Sequence, residues 1–126
     1  MSNQQLLQLF QQSWAKNKYW VMGRSQQAYN QIRLLAKHNQ WTEEKQRTYE
    51  AILASLATVP PTKKTTRVVA EHIWGYFKKE ATIQEKVEFQ RLLADEDIIT
   101  KMPSLLKQLQ KKYPHAYLAQ MRWFDE

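Results

Sequence analysis

The residues of this chain best equipped for chemistry lie in the run 67–79, Arg-Val-Val-Ala-Glu-His-Ile-Trp-Gly-Tyr-Phe-Lys-Lys, which joins an imidazole, an indole and a phenol to cations at both ends. Read as a helix at about 100° per residue, it divides into three stripes. Val69, His72, Ile73, Tyr76 and Phe77 share the first. A histidine on an apolar face is either a tuned acid, base or ligand, because burial disfavours its charged form, or a core side chain satisfied by a neighbour. The rule that buried polar groups find partners favours the core. Gly75 shares the second stripe with Val68 and Lys79. Glycine inside a helix costs about 0.8–1.0 kcal/mol relative to alanine, so close approach of another helix is expected there, ahead of a ligand nearing the backbone.

Arg67, Trp74 and Lys78 form the third stripe, opposite His72. An aromatic plane flanked by cations can stack on an unpaired base while the charges meet phosphates, at about 1–3 kcal/mol per base. The competing reading is that a neighbour packs over Trp74, since tryptophan is mostly buried. Two further basic groups repeat the theme. Lys107, Lys111 and Lys112 follow one another at helical spacing, and Lys16, Lys18 and Arg24 surround Tyr19 and Trp20. Converging in space, the three groups would make a phosphate-binding surface; dispersed, they would be solvated helix faces.

The charge balance points the same way. A net charge of +7 favours an anionic partner such as nucleic acid or an acidic protein. Residues 80–97 hold six acids (Glu80, Glu85, Glu88, Asp95, Glu96, Asp97) against Lys86 and Arg91, so the positive excess lies in 16–37, 63–79 and 101–112. Signals for catalysis are poor by comparison. His38, His72 and His115 lack metal-ligand spacing, and the adjacent Asp95, Glu96 and Asp97 cannot all point at one cation. No glycine-rich phosphate loop, nucleophile elbow or triad motif occurs. The chain has no cysteine, which excludes disulfides, thiolate metal sites and thiol nucleophiles within it. No catalytic residue, metal or cofactor is therefore expected.

The elements that must position these residues are helices. One domain over 1–126 is the expectation for a chain of this length. Two glycines and four prolines are too few for a β fold, and Gln, Lys, Leu, Ala and Glu are good helix formers. Leu6, Leu7, Phe10 and Trp14 begin a first helix near Asn3 that breaks at Gly23. Ser25 caps a second helix, with Ala28, Ile32 and Leu35 on one face, ending near His38 and Asn39. Thr42 caps a third, where Tyr49, Ile52, Leu53 and Leu56 make the clearest core stripe before Pro60 and Pro61. After the run 67–79, Thr82 and Glu85 form a capping box for a fifth helix ending at Ala94. Pro103 suits the first turn of a sixth, carrying Leu105, Leu106, Leu109 and Tyr113, and Pro114 precedes an aromatic tail. The fold class is all-α: a compact single-domain bundle of about six or seven helices. No uninterrupted apolar run approaches a membrane span and the N-terminus lacks a leader pattern, so a cytoplasmic protein without membrane contact is expected.

At His72-Ile73-Trp74-Gly75-Tyr76-Phe77-Lys78-Lys79 the chain resembles the YbgA-like bacterial domain of unknown function, whose signature places a histidine before a Gly-Tyr-Phe-Lys run. Lys18 to Met22 with Ser25 and Tyr29 resembles its N-terminal block. Met102 to Lys107, followed by Tyr117 to Gln120, resembles its C-terminal block. The family-motif residues are thus Lys18, His72, Gly75, Tyr76, Phe77 and Lys78. The family usually has histidines where Asn17 and Arg24 stand, and His and Asn where Thr66 and Val68 stand. In many relatives the domain is fused behind a cysteine-rich iron–sulfur desulfidase-like domain, associated with removing sulfur from 4-thiouridine in tRNA. The resemblance implies that the helical part holds RNA while the cysteine domain does the chemistry. The expected function is a non-enzymatic module for structured RNA, tRNA among the candidates, acting through Arg67, Trp74, Lys78, Lys79, Lys107, Lys111, Lys112, Lys18 and Arg24. A protein-interaction adaptor for a separate desulfidase or repair enzyme is the alternative, and an enzyme centred on His72 the third.

Overall fold

Side-chain caps set most of the helix starts in the computed structural model, which describes residues 1–125. α1 (Asn3–Met22) begins behind Ser2, whose hydroxyl accepts from the Gln5 amide while the Gln5 side chain accepts from the Ser2 amide. α2 (Gln26–Leu35) and α3 (Glu43–Leu56) begin behind Ser25 and Thr42, which accept from the amides of Ala28 at 3.0 Å and Lys45 at 3.2 Å. Thr62 and Thr65 cap each other at the start of α4 (Lys63–Trp74), and Thr82 and Glu85 do so at α5 (Ile83–Leu93). α6 (Ile98–Lys112) and the short α7 (Ala116–Ala119) follow, with 3-10 turns at Lys37–Asn39 and Arg122–Phe124. Each such cap satisfies amides that the helix geometry leaves without partners, at about 1 kcal/mol apiece.

The all-α class and the helix number agree with the sequence pattern; three boundaries do not. The helix expected over 67–79 starts at Lys63 and ends at Trp74. Beyond it the chain continues as tight turns, Tyr76 N–H to Ile73 C=O and Phe77 N–H to Trp74 C=O. α6 starts five residues before Pro103 rather than at it. Ile98 and Met102 are fully buried, and that apolar anchoring draws the preceding turn into the helix. Pro103 gives up only the amide that would have reached Ile99. α2 stops at Leu35 because His38 and Asn39 turn left-handed, with φ of 65° and 55°.

Two buried clusters hold the helices together. Phe10, Trp20, Val21, Ile32, Trp41, Tyr49 and Leu56 join α1, α2 and α3, with the Phe10 ring stacked on Trp41 at 3.9 Å and edge-on to Tyr49 at 4.8 Å. The Tyr49 hydroxyl is satisfied by Ser13 at 2.7 Å. The second cluster joins α4 to α7 through Val69, Ile73, Phe77, Phe89, Met102, Leu106 and Leu118. α1 serves both, giving Trp20 and Val21 to the first and Tyr19 and Met22 to the second. It is therefore the shared wall of one packed unit, and the residues near its C-terminal end stand where the two clusters meet. Among the described residues no helix is long and apolar enough to cross a membrane.

Candidate nucleic-acid interface

At that junction the three separated blocks of sequence come together. Tyr19 leaves α1 into the second cluster, 5% exposed, and its hydroxyl is hydrogen-bonded to that of Tyr76 in the turn after α4. Burial, then this bond and the nearby Tyr76, Tyr117 and Tyr29 hydroxyls, push the Tyr19 phenol well above its ordinary range. It stays neutral and acts as a donor and packing group. The neighbouring Lys18, half-buried, holds its ammonium 5.2 Å from the centre of the Tyr19 ring and 5.7 Å from that of Tyr117 on α7. Tyr76 and Tyr117 stack at 6.2 Å, and His72 reaches the Tyr19 ring at 6.3 Å. Tyr76 and Tyr117 are half-buried and His72 is exposed. The patch thus combines two partly exposed phenols, a half-buried lysine and an exposed imidazole.

The backbone around Tyr117 is braced from α6. The Gln110 side chain donates to the His115 carbonyl at 2.9 Å and accepts from its amide at 3.2 Å. The His115 ring packs edge-on to Tyr76 and Phe77, with its Nε2 3.4 Å from a Glu80 carboxylate oxygen. Phe77 itself is fully buried, so this member of the family motif is a core residue.

Three expectations from the run 67–79 are corrected here. His72 does not lie in the core. The buried residues of α4 and its following turn are Thr66, Val69, Ala70, Ile73, Trp74 and Phe77, an arc centred near Ile73 from which His72 lies about 100° away. Thr66 and Ala70 widen the buried arc on the side away from His72. Trp74 is not a free stacking platform: it is 9% exposed and its ring lies on Phe89 at 4.4 Å, nearly parallel at 7°. Gly75 receives no neighbouring helix. It is exposed at the α4 C-cap, and a Cβ there would meet only the His72 carbonyl of its own helix, at 3.2 Å.

The third stripe therefore does not assemble into a site. Arg67 is half-buried and its charge acts on Glu96, which already pairs with Lys63. Lys78 and Lys79 are exposed beside Tyr76 in the chain. On α6, Lys112 pairs with Glu85 at 3.2 Å and Lys111 is exposed. Lys107 is half-buried, and with Arg24 it lines a cavity of about 400 Å³ between the α1–α2 turn, α4 and α6. Arg24 lies over the Trp20 ring at 4.2 Å, and Arg122 over the same ring at 3.6 Å. At Gly23 a Cβ would press on the Tyr19 carbonyl at 3.3 Å and make ordinary contact with the Trp123 indole nitrogen at 3.5 Å.

Arg122, Tyr76 and Tyr117 were not among the binding residues expected from sequence. Tyr76 and Tyr117 were flagged only by the family resemblance and Arg122 only as the one arginine of the aromatic tail, and their placement depends on contacts far along the chain. Arg122 also bonds the Asn17 side chain at 3.3 Å. Asn17, Arg24 and Thr66, three of the four departures from the family pattern, therefore gather around Trp20 and this cavity; Val68 instead lines a shallow recess with Glu71 and His72. Among the described residues no group of three or more histidines and acids is placed to hold a metal ion. Nothing among curated proteins and nothing among solved structures matches the chain. A family model does: residues 18–126 match the family described as Protein of unknown function (DUF1722), and since the match opens at Lys18 and spans the whole tyrosine patch, the chain belongs to that family.

Proposed function

We propose that the chain is a non-enzymatic module that binds structured RNA, with tRNA the species suggested by the resemblance to desulfidase-fused domains. Contact is centred on Lys18, His72, Tyr76 and Tyr117 rather than on Trp74. The observation that carries this reading is the convergence of three distant sequence blocks into one half-exposed patch of phenols, imidazole and lysine. Phenol faces stack on unpaired bases without regard to sequence, and adjacent ammonium groups meet phosphates. Lys78 and Lys79, following Tyr76, extend the positive field. Electrophoretic shift of tRNA at low ionic strength tests the proposal. The affinity is expected to fall steeply as salt rises, through counterion release, and to weaken in Lys18→Ala. Binding that is absent at low salt, or indifferent to salt, removes the RNA reading.

One observation favours an adaptor as the second reading. On the outer face of α5, Ile83 is 80% exposed and Val87 63% exposed, one turn apart. A desulfidase-like protein docking there would be lost from co-purification in Ile83→Lys/Val87→Lys, while RNA affinity would persist.

A further inference from the structure

The face of α1 that carries Tyr19 and Met22 into the second cluster continues beyond the end of that cluster. Counted toward the N-terminus at steps of three and four residues, it passes through Ala15, Gln12, Gln11 and Gln8. These residues, with Lys16 and with Gln120 at the end of α7, line an open groove of about 760 Å³. The four glutamines and Lys16 are exposed, while Ala15 is half-buried and adds only a methyl group. Neither α1 nor α7 carries an acidic residue. Gln5, Gln46 and Gln110 make hydrogen bonds within the fold. Among the described residues, by contrast, no hydrogen bond or ion pair engages Gln8, Gln11, Gln12, Gln120 or Lys16.

We infer that this groove holds the bases of a single-stranded RNA segment continuing from the tyrosine patch, an inference that rests on the RNA reading of that patch and extends it. Continuity selects the occupant first. Lys18 and Tyr19 follow Ala15 by three and four residues on α1, and Gln120 follows Tyr117 by three at the end of α7. The groove and the patch therefore share both their elements, and a strand leaving the patch along α1 meets the groove next. The lining selects it again. A glutamine amide donates and accepts side by side, as nucleobase edges do, and bonds adenine through two atoms at once. Bases splayed from a single strand have those edges free, whereas paired bases do not. Four amides beside one ammonium favour base edges over phosphates. From Gln8 to Lys18 the helix advances about 15 Å, room for about four nucleotides at a stacked rise of 3.4 Å and fewer once the bases splay. With a single cation along it, the groove should add affinity that depends little on salt, unlike the patch.

The test measures, by fluorescence anisotropy on the whole chain, a blunt RNA hairpin, the same hairpin with four adenosines added at its 3′ or its 5′ end, and the same tails made abasic. One of the adenosine tails should tighten binding about tenfold over the blunt hairpin, the gain of one good bidentate pair. The abasic tails, which keep every phosphate, should not. Gln11→Ala/Gln12→Ala should abolish the gain. Both positions are exposed and alanine is the better helix former, so folding is retained. Ala15→Leu should abolish it too, by filling the groove. Neither variant should change the blunt hairpin or the salt slope, whereas Lys16→Ala should lower the slope of the tailed hairpin by about one. Gln90→Ala, at an exposed glutamine of α5, should change nothing. Lys18→Ala should weaken all the hairpins alike, since it acts at the patch. No gain from either tail, an equal gain from an abasic tail, or equal loss in Gln90→Ala would each overturn the groove and leave the patch standing. If the blunt hairpin fails to bind, the patch reading falls, and the groove is judged by NMR titration with tetra-adenylate alone. Saturable shifts confined to the amides of Gln8, Gln11, Gln12, Lys16 and Gln120 would uphold it. No shifts, shifts spread elsewhere, or equal shifts with a neutral tetrapeptide would overturn it.

Discussion

Cations along α4, α5 and α6 and those near α1 and the C-terminal turn are treated in opposite ways. Lys63 meets Glu96, Arg91 meets Glu88 and Asp95, Lys101 meets Asp95, and Lys112 meets Glu85. Lys18 instead lies on Tyr19 and Tyr117, and Arg122 lies on Trp20. A charge facing a carboxylate is neutralised for any distant anion. A charge facing a ring keeps its full field while its stem is held still. The net charge of +7 is thus unevenly expressed, and the side bearing it is the side where the family match begins.

The largest effect expected of any single substitution separates packing from binding. Trp74→Ala removes an indole stacked on Phe89 inside the second cluster, and should cost about 3–5 kcal/mol of stability in urea unfolding. The protein that remains folded should bind RNA as before. A loss of affinity without a loss of stability would return Trp74 to the binding surface and undo the correction made from its burial.

Tyr117→Ala reverses that pattern. Tyr117 is half-buried, so its stability cost should be the smaller, while RNA affinity should fall about tenfold to a hundredfold, the equivalent of one stacked base. Tyr117→Phe should restore affinity, because the face and not the hydroxyl makes the stack. If Lys112→Ala weakens RNA binding as much as Lys18→Ala, the distinction between ring-held and acid-held cations fails.

What could be read from sequence divides along the same line, between local and distant causes. Ser25, Thr42 and Thr82 announce their helices because each cap is a contact between a hydroxyl and an amide three residues on. The stripe ending in Tyr49 and Leu56 was legible for the same reason, although Ile52 and Leu53 are only half-buried. Pro103 does not mark the start of α6, because Ile98 and Met102 are anchored by the second cluster, which local propensity cannot see. The basic segments were correctly located along the chain, yet which lysines meet acids depends on pairs such as Lys112 with Glu85. The patch itself needed Tyr117 to fold back onto Lys18. The resemblance named its residues, but nothing in their spacing said that they meet.

Glu85 gives the acid-paired side a pH dependence of its own. Its carboxylate accepts from the Thr82 amide, then from the Tyr113 hydroxyl and Lys112, and is held at about 2 against an ordinary 4.5. A folded-state value below the unfolded one means that the stabilisation is fully present above pH 4.5 and is lost as pH falls toward 2. Glu85→Gln should therefore flatten the loss of stability across that window and leave RNA affinity near neutrality within about twofold. An unchanged acid slope in urea midpoints measured against pH would remove Glu85 as its source.

The smallest effects belong to the exposed pairs themselves. Arg91 bonds Glu88 through both Nε, at 3.0 Å, and a terminal nitrogen, at 2.6 Å, yet its side chain is 57% exposed. Lys101 reaches Asp95 at 3.1 Å with its own side chain 48% exposed. Solvent screening and the entropy of holding two long side chains leave such pairs worth about 0–1 kcal/mol. Arg91→Ala and Lys101→Ala should each shift the urea midpoint by less than Trp74→Ala by several fold. Because removing either cation leaves Asp95 or Glu88 unmatched, RNA affinity should fall slightly through long-range repulsion and recover in added salt. Adding Asp95→Asn to Lys101→Ala then restores the balance of charge. Affinity returning to the starting value in that double variant would show that this side contributes only field, whereas a persistent loss would make Lys101 a direct phosphate contact and extend the interface onto α6.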